Sequence, residues 1–215
     1  METNKIVHIK QLITSVIAVI AVEIAFNLLM SKSLFHPMVM LGLTRIVQTA
    51  IIILIVLAQG KGLSVIGLEP SVMLHGFKRG LIWSASFGAV VFLGFVILFI
   101  FKIDPLALIS SNLPEDQGDM ILFFIVGGAM APIAEETFFR GILYGFFRRW
   151  GAIIALLISS ILFSLTHLAV SGTFIIQLIG GILFAVAYEL EKSLVTPITI
   201  HVLGNLAIFT ISTWS

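Results

Sequence analysis

The chain reads as long, unbroken apolar runs separated by short polar stretches. Seven runs stand out, at Leu12–Met30, Met38–Ala58, Leu81–Phe101, Met120–Phe147, Ala152–Val170, Thr173–Tyr188 and Leu194–Thr210. A helix that crosses a bilayer needs about 20 apolar residues, within a range of about 17–25. The sixth and seventh runs lie at the short end of that range. The fourth is long and holds two glutamates and an arginine; it would divide, giving eight helices, only by breaking near Pro132. Continuous apolar runs predict helices and argue against a transmembrane β-barrel, whose strands alternate. The expected fold is all-α: a polytopic transmembrane bundle of about seven helices, forming a single membrane-embedded domain over residues 1–215. The stretch Gln59–Gly80 contains Gly60, Gly62, Gly67 and Pro70 and reads as a partly interfacial loop.

Composition supports the bilayer as solvent. Hydrophobic residues make up 59% of the chain and charged residues 11%, against about 25% charged in an ordinary soluble domain. A net charge of +1 gives no basic footprint for nucleic acid. The absence of cysteine removes disulfides, thiolate catalysis and cysteine metal sites. The first apolar run, which follows Lys10, is too long for the hydrophobic region of a secretory signal, and no small-residue cleavage site accompanies it. Basic residues set the expected orientation. Lys5, Lys10, Lys61, Lys78, Arg79, Arg148, Arg149 and Lys192 fall on one side of an alternating seven-helix bundle, and Lys32 and Lys102 on the other. The second side also carries Asp104, Glu115, Asp116 and Asp119. The N-terminus is therefore expected in the cytoplasm and the C-terminus outside.

Ionisable groups within a membrane cost about 2.5–3.5 kcal/mol each on insertion scales and need partners or a function. The densest cluster is Glu135-Glu136-Thr137-Phe138-Phe139-Arg140. Glu136 and Arg140, four apart, share a helical face and can pair. Glu135 points about 100° away, which leaves one acid neutralised locally and the other free for chemistry. A pure stabilising ion pair is the plainer reading of Glu136 and Arg140. The next helix carries Phe163 and His167 on one face, and the last carries His201 and Asn205 on one face beside Gly204. Taken singly, these polar residues read equally well as interhelical hydrogen-bonding groups. Earlier in the chain, Glu23 with Asn27 and Arg45 with Gln48 are expected to pair or to line a cavity. Glu189 and Glu191 are expected at the cytoplasmic interface.

The three C-terminal clusters together allow peptide hydrolysis. A carboxylate and an imidazole can hold a water and remove its proton. An imidazole and an amide on one helical face can donate to the oxyanion of a scissile carbonyl. Zinc held by Glu135, His167 and His201 is the alternative, since His and carboxylate ligands with an open position suit a catalytic site. Asn205 is a poor zinc ligand and fits an oxyanion hole better. The HExxH zinc helix is absent, as is a serine in a G-x-S-x-G context.

Glu135-Glu136-x-x-x-Arg140, Phe163-x-x-x-His167 and His201-x-x-x-Asn205, in this order, resemble the three motifs of the CPBP family, the type II CAAX prenyl endopeptidases and their bacterial relatives. Ala131-Pro132-Ile133-Ala134 and Gly141 flank the first motif as in that family. The resemblance covers about Met120–Asn205, with a catalytic core expected over about residues 120–210. It implies a multi-helix intramembrane protease in which Glu135 and His167 activate water and His201 and Asn205 form the oxyanion hole. It also implies that Glu136 and Arg140 support the site and that the substrate is a membrane-anchored protein or peptide; the family has been described both as metal-dependent and as glutamic-type, so zinc stays open beside the favoured metal-free reading. A small membrane-embedded chain fits a bacterial or archaeal cell membrane. Two other functions stay open at this point: a non-enzymatic immunity or binding protein that keeps the pocket, and a proton-coupled transporter. A transporter should show broken helices in both halves, whereas the polar residues here gather in the C-terminal half. Depth poses a difficulty. Glu135 lies about 20 Å from Arg148 and His167 about 24 Å from Gly151, but His201 lies only about 13 Å from Lys192. The three meet only if the last helix starts deep or the fourth and fifth are shorter or tilted.

Overall fold

The structure, a computed structural model, describes residues 6–31, 35–60, 62–106, 109, 111–168 and 174–214. Lys5, Lys32 and Lys61, which contribute to the orientation argument, and the run boundaries at Val170 and Thr173 lie outside the described residues. Among the described residues seven helices follow one another: α1 (Ile9–Met30), α2 (Pro37–Ala58), α3 (Pro70–Ile100), α4 (Gln117–Trp150), α5 (Ala152–Leu165), α6 (Phe174–Glu191) and α7 (Val195–Ser212). Six are long and apolar enough to cross a membrane, and α5, at 14 residues, is not. The protein is an integral, multi-pass membrane protein.

The expected loop Gln59–Gly80 is corrected by the structure. A 3-10 turn occupies Leu63–Ile66, and α3 begins at Pro70. Proline suits a first helical turn because its missing N–H would be unpaired there. The segment between these two elements turns at Gly67, whose φ of 70° is the left-handed conformation that glycine adopts without a Cβ clash. The fifth run is also shorter than its hydropathy suggests, since α5 stops at Leu165 and not at Val170.

Helix α4 does not break at Pro132. It continues through two wide turns, Val126–Met130 and Thr137–Tyr144, in which the backbone bonds i to i+5. The first has a local cause in the sequence. Proline offers no N–H, and its ring crowds the carbonyl four residues back. The ladder widens in response, and the N–H of Ala131 reaches back to the oxygen of Val126. Gly127 and Gly128, within the widened turn, let α7 come close: a Cβ at Gly128 would meet Leu206, and one at Gly127 would touch Phe209.

The bundle has a basic end, carrying Lys10, Lys78, Arg79, Arg148, Arg149 and Lys192, and an acidic end, carrying Asp104, Glu115, Asp116 and Asp119. Ion pairs staple the helices at the basic end. Glu189 accepts from Arg148 at 2.8 and 2.9 Å and from the Tyr144 hydroxyl at 2.6 Å, joining α4 to α6. Glu191 accepts from Arg79 and from Trp83, each at 2.9 Å, joining α3 to α6. The pairing expected between α1 and α2 is present. Arg45 lies 3.2 Å from Glu23, and Gln48 donates to Glu23 at 2.9 Å.

The depth difficulty resolves through α7. Ser193, Leu194 and Thr196 are fully buried and Pro197 is buried, so α7 begins inside the bundle. The Leu194 N–H donates to Gly67 O at 2.9 Å, and the Thr196 hydroxyl donates to Gly76 O at 3.1 Å. Gly76 and Gly80 are what permit this: a side chain at either would collide with Ser193 or Thr199. The widened turns of α4 also shorten its rise between Arg148 and Glu135. Apolar surface turns to lipid elsewhere, most plainly on the second half of α3 and at the residue that follows it, where Phe92, Phe99 and Phe101 are exposed.

Candidate active site

Glu136 and Arg140 are both fully buried and lie 2.9 Å apart, as their i, i+4 spacing predicts. The pair has a third member. His201 approaches from α7 with Nδ1 2.8 Å from the same Glu136 oxygen. An ionised carboxylate only accepts hydrogen bonds, so Nδ1 must carry the proton. Glu136 therefore fixes both the ring orientation and the tautomer of His201, much as a second carboxylate orients a catalytic or metal-binding imidazole. The other ring nitrogen, Nε2, then faces Glu135, whose Oε2 is 3.8 Å away. Glu135 is partly accessible, with 19% of its side-chain surface exposed, against 0% for Glu136. Adjacent acids thus have opposite tasks by geometry: one is locked in a buried network and the other borders open space.

Helix α6 completes this network, which the sequence did not disclose. Arg140 donates to the Gly181 carbonyl at 2.9 Å. Phe184 stacks on the His201 ring at 4.6 Å with planes 20° apart. Phe163 stands edge-on to His201 at 5.7 Å, and the Arg140 guanidinium lies 4.8 Å from the Phe163 centroid and 5.3 Å from that of Phe184. These ring faces stabilise a desolvated cation and keep lipid and bulk water from the ion pair. Apolar residues on an apolar helix carry no sequence signal for such a role, and a backbone carbonyl carries none at all.

His167 closes α5. Its Nδ1 is 2.9 Å from Phe163 O, and its ring lies 4.8 Å from the Phe163 ring. The expected i, i+4 relation of Phe163 and His167 thus exists as a direct contact. Phe163 also stands between the two histidines, touching both.

Asn205 donates from Nδ2 to Gly127 O at 2.9 Å. The reason lies in the widened turn of α4. With the ladder running i to i+5, the next donor after Ala131 would be residue 132, and its acceptor would be Gly127 O. Pro132 has no N–H, so that carbonyl is left without a helical partner, and Asn205 supplies one. One N–H of the amide is thereby committed, and the second is left for other use.

Zinc or a similar ion would need three converging ligands. Among the described residues, no three His, Asp or Glu side chains come together at metal-binding spacing. His201 has Nδ1 committed to Glu136, so it could offer Nε2 alone. As arranged among the described residues, the donor set does not fit a metal.

Residues 117–207 match the family described as Type II CAAX prenyl endopeptidase Rce1-like. No curated protein and no solved structure matches the chain.

Proposed function

Because residues 117–207 constitute an Rce1-like type II CAAX prenyl endopeptidase domain of the CPBP family, we propose that this chain is an intramembrane endopeptidase of glutamic type. It hydrolyses a peptide bond of a membrane-anchored protein or peptide. One observation carries the reading: Glu135, partly accessible, borders the free nitrogen of an imidazole whose other nitrogen is fixed by a buried carboxylate.

Glu135 and His167 activate the attacking water. Glu135 has no guanidinium on it, because Arg140 is spent on Glu136, and it is therefore free to take a proton. Attack on the scissile carbonyl develops negative charge on its oxygen. His201 Nε2–H and the second N–H of Asn205 receive that charge. With Nδ1 already donating to Glu136, donation from Nε2 requires the doubly protonated ring. Its positive charge is balanced locally, since two carboxylates, one guanidinium and one imidazolium sum to zero. Such balance is what makes charges tolerable at low dielectric. Donors fixed in advance in a site shielded from water stabilise the transition state without reorganising. The proton taken by Glu135 then passes to the leaving amine.

The chain works as one membrane-embedded unit with its catalytic core at about residues 120–210, its N-terminus in the cytoplasm and its C-terminus outside. The basic and acidic ends of the bundle support this orientation. The test is cleavage by the purified protein in liposomes of two quenched fluorogenic probes, a prenylated CAAX peptide and an unprenylated single-span peptide. Cleavage of either that persists after exhaustive chelation is expected. Activity lost on chelation and restored by zinc would contradict the glutamic mechanism.

A further inference from the structure

Gln177 is a polar residue of α6 that the catalytic scheme does not use. The lipid-facing side of α6 is marked by its exposed aliphatic residues, Ile175, Ile179, Ile182 and Leu190. At 100° per residue, Gln177 lies on the opposite side, within about 20° of Phe184. That side faces the bundle: Gly181 receives Arg140 there, and Phe184 stacks on His201. Yet Gln177 is only half-buried, and its carboxamide makes no hydrogen bond among the described residues. A residue that points inward and is not covered borders open space within the bundle.

Its height is set by helix register. Gly181 packs against Ser160, with a Cβ contact of 3.2 Å. Helices α5 and α6 run antiparallel, so Gln177, one turn from Gly181 toward the acidic end, comes level with Ser164 and the turn that carries His167. It lies about 21 Å along α6 from Glu191, within a hydrocarbon core of about 30 Å. A carboxamide at that depth is costly unless something pairs with it.

We propose that Gln177 binds the backbone of the substrate at the mouth of the site, pairing its carboxamide with a peptide group of an extended, membrane-embedded segment. The inference rests on the peptidase reading above and names what that site selects. A helical segment in lipid satisfies all its peptide groups internally, whereas a segment unwound for cleavage presents N–H and C=O groups that water cannot reach. A carboxamide offers one donor and one acceptor side by side, the complement of one exposed peptide group. Gln177 stands one turn from the Gly181–Arg140 contact, on its acidic-end side. The preference created is for an unwound backbone and not for a particular side chain.

Binding can be read without turnover. In a Glu135→Gln background, the affinity of the unprenylated single-span peptide, carrying a fluorophore, is measured in liposomes with and without Gln177→Leu. The substitution is expected to weaken binding about tenfold while leaving the melting temperature unchanged or raised, and Gln177→Asn is expected to weaken it less. Unchanged affinity in Gln177→Leu, or no saturable binding to the parent, overturns the proposal. Cleavage by the wild-type chain, followed in parallel, reports on the peptidase reading separately: tenfold weaker binding with no cleavage by wild type would leave Gln177 as a peptide-binding residue and remove the catalytic scheme.

Discussion

Arg140 is the residue on which the stability of the site turns. Both it and Glu136 have lost all contact with solvent, and Glu136 also accepts from His201. Truncating Arg140 to alanine leaves the buried Glu136 carboxylate, beside three aromatic rings, without its guanidinium partner. Removing one member of a buried pair costs about 3–5 kcal/mol. Arg140→Ala should therefore lower the melting temperature in detergent, and activity should fall with it. An unchanged melting temperature would mean that the pair is not buried. Arg140→Lys should recover only part of the loss, because an ammonium cannot reach Glu136 and the Gly181 carbonyl together in the planar arrangement of a guanidinium. His201 is bound into the same network, so His201→Ala should cost stability as well as turnover. His167→Ala should cost turnover, as expected of a group that helps to activate the attacking water.

Helix α4 owes its shape to one proline, and α7 is built to meet it. The link between Pro132, the Gly127 carbonyl and Asn205 makes a coupled prediction. Asn205→Ala leaves Gly127 O without a donor, at a cost of about 1–3 kcal/mol. Pro132→Ala restores an N–H that can bond within the helix. The double variant should therefore lose less stability than the sum of the two singles, a positive coupling read by thermal unfolding. Additive losses would mean that the amide does not serve that carbonyl. Activity separates the two tasks of Asn205, since the double variant should stay impaired in turnover if the second N–H serves the oxyanion. These elements also define what the sequence could disclose. Seven apolar runs were legible, as were Glu136 with Arg140 and Phe163 with His167, because i, i+4 spacing sets those contacts. The first three turns of α3 were not, because Lys78, Arg79 and the five glycines from Gly60 to Gly80 lower the local hydropathy, and the helix there is held by Gly76 and Gly80 against α7. The end of α5 at Leu165 was hidden inside an apolar run. The bond between Glu136 and His201 spans 65 residues and depends on α7 starting deep, which no local pattern encodes.

Taken whole, the molecule is a bundle with charge sorted between its ends and a polar network sealed at middle depth. Its basic end should lie in the cytoplasm, because lysine and arginine are retained there. The chain has no cysteine, so single cysteines placed near Gln59, in the turn at Gly151 and near Trp214 can be labelled selectively from either side of the membrane. The first two should react from the cytoplasm and the third from outside; labelling of all three from one side would break the seven-helix alternation. The central claim is that Glu135 activates water for peptide hydrolysis, and the most direct measurement is single-turnover cleavage of a membrane-anchored peptide by wild type and Glu135→Gln, reconstituted at matched thermal stability. Loss of a general base typically costs 10²–10⁴-fold in rate, so cleavage by Glu135→Gln should fall by at least about a hundredfold. Cleavage by Glu135→Gln within a few-fold of wild type would contradict the account.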